Sequence, residues 1–162
     1  MKALFILPLI VLFNCSSHKN TQAEESAKKN VTPHPIKFTT LVQSALHGAG
    51  DEGIEKGLYV IKDKKQWEAF LSKMNKVNDE TKKFKTTDID FKRQMLLAVF
   101  DPVLGTGGVK INIDKIIETP DKVQVLVSHT RPKGFATTVM NQPYHIVVLP
   151  KIDKEFEMKV VD

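Results

Sequence analysis

Cysteine is nearly absent from this 162-residue chain, with Cys15 as its single example. That excludes a disulfide framework and a thiolate metal cluster. Arginine is almost as scarce, at Arg93 and Arg131 alone, so lysines scattered among Asp and Glu carry the formal net charge of +5. Nucleic-acid readers lean on arginine and gather their basic residues on one face, so this pattern reads as a solvated surface. No apolar run reaches the ~20 residues that a spanning helix needs. No periodic repeat and no His-Glu-x-x-His helix is visible. Gly105-Thr106-Gly107-Gly108 is glycine-rich, but Val109 and Lys110 follow it where a phosphate loop needs lysine, a hydroxyl and a helix start.

What is present is a strand pattern. Met95 to Phe100 is uninterrupted and apolar, which predicts a strand buried on both faces. Asp101-Pro102 stops it, because proline has no N–H to give a neighbouring strand. After the glycine corner, Val109, Ile111 and Ile113 alternate with polar residues, Thr119 to Lys122 reads as a turn, and Val123, Val125 and Val127 alternate on the return. Pro132 and Gly134 interrupt the chain, Tyr144 to Leu149 resumes it, and Phe156, Met158 and Val160 form a last alternating strand. Further strands are expected in Ile36–Leu46 and Leu58–Ile61, around a mobile loop at Gly48–Gly53.

One helix is clear. Asp63 is a good N-cap with Gln66 three residues on, and Trp67, Phe70, Leu71 and Met74 share one face. The only tryptophan lies on that stripe and reads as core. Asn75 to Thr87 is polar and reads as irregular. The sum is an α+β fold, an antiparallel sheet or open barrel of about six strands with one packed helix.

The beginning of the chain has a different character. Lys2 precedes an apolar stretch ending at Asn14, which suits a secretory signal. Leu12-Phe13-Asn14-Cys15 resembles a bacterial lipobox, with Asn14 where Gly, Ala or Ser is usual. The resemblance implies a signal peptide over 1–14 and lipidation of Cys15, with acyl chains holding the protein to the cell envelope. Ser16 after the cysteine is compatible with an outer-membrane destination. An ordinary secretory signal with an incidental cysteine is the alternative. Residues 16–35 hold one valine and no larger apolar side chain, so 15–35 reads as a flexible tether before a domain over 36–162.

Reactive groups are few. Ser128 and His129 are strand neighbours and point to opposite faces, so they do not form a nucleophile–base pair by themselves. A hydrolase using Ser128 and His145 is the weakest of three readings. His47, His129 and His145 lack metal-ligand spacing. No catalytic residue, metal or cofactor is expected. Arg131, beside proline and glycine, has forked donors suited to a carboxylate, including one from a partner chain.

Four stretches together resemble the PrcB C-terminal domain family, a name drawn from a subunit of a bacterial surface protease complex. They are Leu58–Phe70, Ile89–Phe91 leading into Met95–Phe100, Thr106-Gly107-Gly108, and Gln142–Val147 through Pro150-Lys151. Val109 stands where the family usually has an aromatic, and Arg131–Gly134 matches its proline-rich loop only in part. The resemblance implies a non-catalytic accessory or stabilising role toward an exported protease. Thr106, Gly107, Gly108, Arg131, Gly134, Phe135 and Tyr144 would be the partner-binding residues. The alternative is a protease inhibitor whose Gly105–Gly108 and Arg131–Phe135 loops enter an active-site cleft.

Overall fold

The computed structural model describes residues 32–86 and 88–161. The expected signal peptide, Cys15 and most of the expected tether lie outside the described residues. The elements in order are β1 (His34–Pro35), β2 (Thr39–Leu46), β3 (Gly57–Ile61), α1 (Lys64–Met74), a 3-10 turn (Glu80–Lys83), β4 (Gln94–Phe100), β5 (Leu104–Thr106), β6 (Lys110–Glu118), β7 (Lys122–Thr130), β8 (Thr138–Pro150) and β9 (Glu155–Val160). This is the expected α+β class, with open sheets rather than a closed barrel. The strands form two sheets, where a single one was expected. One runs β2-β8-β4-β3, with β5 beside β8, and the other runs β1-β6-β7-β9.

The apolar run at β4 explains the layering. Leu96, Ala98 and Phe100 pack toward α1 with Trp67, Phe70 and Met74. Met95, Leu97 and Val99 face the other way, onto Ile111, Ile116, Val123, Val125 and Val127 of the second sheet. β8 does the same, sending Tyr144 and Ile146 to the helix side and Val147 and Leu149 to the sheet side. The order is therefore helix, sheet, sheet. Asp63 caps α1 as the sequence predicts, its carboxylate accepting the Gln66 N–H at 2.8 Å, while Gln66 Oε1 accepts the Lys62 N–H at 2.9 Å.

His145 fastens the two sheets together. It projects from β8 toward β6, where the ladder is irregular between Ile113 and Lys115. The irregularity leaves the Ile113 N–H to donate to His145 Nδ1 at 2.9 Å. That bond puts the ring hydrogen on Nε2, which lies 2.9 Å from Thr40 Oγ1. Burial holds the imidazole neutral, pushing its pKa down to about 4 against a small opposing pull from Asp114.

Four expectations are corrected. The final strand pairs parallel to β7, not antiparallel, because the chain crosses between sheets after Pro150 and arrives beside β7. His34 and Pro35, read as the end of the tether, are paired with Glu118 and Ile117 of β6. The loop at Gly48–Gly53, read as mobile, is built around buried Glu52, whose Oε1 accepts the Gly48 N–H at 2.9 Å. The polar stretch after α1 contains the 3-10 turn, which carries Glu80 into the core. Among the described residues no helix is long and apolar enough to cross a membrane.

Candidate partner-binding arm

The glycine corner and the proline loop, separate in sequence, meet in space. β5 lies against the start of β8, with Leu104 opposite Asn141 and Thr106 opposite Thr138. Buried Asn141 closes the pairing, its amide donating to the Thr106 and Val139 carbonyls at 3.0 Å each. Gly107 donates its N–H to the Thr137 carbonyl at 2.9 Å. A Cβ there would stand 2.4 Å from Thr137 Oγ1 and 2.9 Å from Val139 Cγ1, closer than atoms pack. Gly108 follows at φ +79°, a left-handed conformation, with Pro132 packed 3.4 Å from where its Cβ would be. The two glycines let the strands close on each other. Gly107 is itself buried, so its part is to seat the arm and not to touch a partner.

Beyond this seam the chain stands out from the body. Every residue from Arg131 to Met140 is exposed. Phe135 reaches 108% of a reference residue's exposure, so nothing in the chain covers its ring. Val139 (38%) and Met140 (51%) add further apolar surface on the adjoining strand. Gly134 turns the chain just before Phe135 at φ +99°. Thr106, Gly108, Arg131, Gly134 and Phe135 thus share one exposed region. An uncovered aromatic with flanking aliphatic groups is the usual make-up of an interface anchor.

Tyr144 does not belong to it. Its side chain is fully buried, stacked on Phe100 at a centroid distance of 5.2 Å. Its hydroxyl donates to Glu80 Oε1 at 2.6 Å, and Lys83 donates to both oxygens of Glu80 at 2.8 Å. Burial, followed by the Glu80 carboxylate, pushes the phenol pKa well up. The reading of Tyr144 as a contact residue fails because it sits on the helix-facing side of an interior strand. The polar end of the ring is satisfied from the 3-10 turn, which sequence pattern did not reveal.

At the root of the arm, His129 Nε2 lies 2.8 Å from Asp101 Oδ1. The pair sits beside a 380 Å³ recess walled by Phe100, Pro102, Ile111, Val127, Met158 and Val160. His129 is engaged with Asp101, and His145 uses both nitrogens between the sheets. Among the described residues no three His, Cys, Asp or Glu side chains assemble as a metal site.

Val139, Met140 and Asn141 were missed from sequence. For Val139 and Met140 the only signal was negative, a run from 131 to 140 without a burial pattern, and Asn141 carried none. Residues 95–150, which include all but the first residue of β4, β5 to β8 and the whole arm, match the family described as PrcB C-terminal. No curated protein and no solved structure matches the chain.

Proposed function

We propose, on the premise that residues 95–150 belong to the PrcB C-terminal family, that this chain is an accessory subunit of an exported protease rather than a catalyst. The observation that carries the reading is the arm, an uncovered Phe135 with Val139 and Met140, lying inside the matched segment. In this reading Cys15 bears acyl chains after removal of residues 1–14 and keeps the domain at the cell envelope, on the outer membrane. The arm docks on the protease, and binding stabilises the protease's folded state. A protease exposed to free subunit at 100 times the Kd gains about 2.7 kcal/mol from such binding.

The test is a protease lifetime measurement in cells with and without the full chain. A stabilising subunit lengthens the half-life of the protease and leaves turnover of a small chromogenic substrate unchanged. Slowed turnover of that substrate instead identifies an inhibitor using the same loops. An unchanged half-life with unchanged turnover sinks the proposal. Labelled fatty acid that incorporates into the wild-type chain but not into Cys15→Ser checks the anchor separately.

A further inference from the structure

The arm carries charge of one sign. Between Pro102 and Ile113, and again between Lys122 and Ile152, the chain contains no Asp or Glu. Those two stretches supply the arm and the strands that root it. Lys110, Arg131 and Lys133 are all exposed there, and Lys110 is paired with Thr130, next to Arg131. Asp101, engaged by His129 at the root, borders these stretches, and Asp51 follows Gly50, which reaches Val103. Elsewhere the surface intersperses signs, as at Lys62 with Asp153, Lys122 with Glu157 and Lys154 with Glu118. The apolar tip thus shares the arm with Arg131 and Lys133, with Lys110 at its root and no carboxylate in the arm's own sequence.

We infer that the arm recognises an acidic protein face with an apolar recess, Phe135 filling the recess and Arg131, Lys133 and Lys110 meeting carboxylates around it. The inference rests on the reading of the arm as a docking surface and adds the chemistry of what docks. Charge complementarity selects the face, because an arm without carboxylates gains from acidic partners and is not repelled by them. Arg131 adds a planar fork able to take a carboxylate with two bonds.

An anionic bilayer would satisfy the same charges, but the small size of the apolar tip favours protein. The chain joins the domain at β1, which pairs with β6 at Glu118, whereas the arm springs from the Lys110 end. Nine strand residues separate those ends, roughly 25 Å at the rise of a strand. The described chain therefore enters the domain at the end of β6 remote from the arm. Three apolar side chains are also a small wedge for a membrane but an ample anchor for a protein pocket.

The experiment places a photo-crosslinking benzoylphenylalanine at Phe135 of the full chain in its native cells, with a second probe at Lys65 on α1. The expected result is a crosslinked partner peptide rich in Asp and Glu. Its yield should fall about tenfold when Arg131→Glu and Lys133→Glu are combined, and in about 0.5 M salt, with the thermal melt unchanged. A contact peptide with no acidic surplus, or a yield indifferent to salt and to charge reversal, overturns the inference and leaves the subunit reading standing. So does a partner captured only from Lys65. Crosslinked lipid, or cosedimentation with phosphatidylglycerol vesicles that the reversal abolishes, overturns it in favour of a membrane. No protein captured from either probe overturns both.

Discussion

β8 is one continuous strand with two different lives. From Asn141 to Val147 every residue is buried, and from Thr138 to Met140 every residue is exposed. The buried part lies between β2 and β4 and feeds both cores, while the exposed part has only β5 beside it. The same backbone geometry therefore supports a region whose residues are set by packing and one whose residues are free to serve a partner. Substitutions should separate the two cleanly, stability responding to the first and binding to the second.

The largest effect is expected in the interior. Leu97→Ala, at a fully buried position facing the second sheet, should lower unfolding free energy by about 2–5 kcal/mol, measured by urea titration. A loss under 1 kcal/mol would mean that the two-core packing around β4 is wrong. Next comes acid. The folded-state pKa of His145 lies near 4, below the ordinary 6.5, so the unfolded chain takes up its proton first as pH falls. Stability from this group is complete above about pH 6.5 and is lost progressively down to about pH 4, up to about 3 kcal/mol. Chemical melts across that window should slope accordingly, and His145→Gln should flatten the slope. If the slope survives the substitution, another group is responsible. The smallest effect belongs to the arm. Phe135→Ser should shift stability by no more than about 0.5 kcal/mol, since an uncovered side chain has no packing to lose. A larger drop would make the ring structural and erase the contrast along β8.

How far the sequence could anticipate this follows from the same contrast. Met95–Phe100 and the stripe from Trp67 to Met74 were legible because burial leaves a period that matches the local geometry. Tyr144 misled, since an aromatic beside a polar loop reads equally as contact or core. Only the arrival of Glu80 from a distant turn decides between them. Strand partners were legible where a short turn joins them, as between β6 and β7, and illegible for β9, whose neighbour is set by a crossover between sheets. The arm's two halves were each noticed at the glycines and at Arg131–Phe135. Their meeting depends on Asn141 and on Thr137 against Gly107, contacts that carry no periodic mark.

The parallel pairing of β9 with β7 has a consequence for self-association. Just past β9, Val161 still donates its N–H to the Val127 carbonyl at 2.8 Å. Without β9 the outer rail of β7 would be bare, a row of unpaired backbone groups able to template a strand from another molecule.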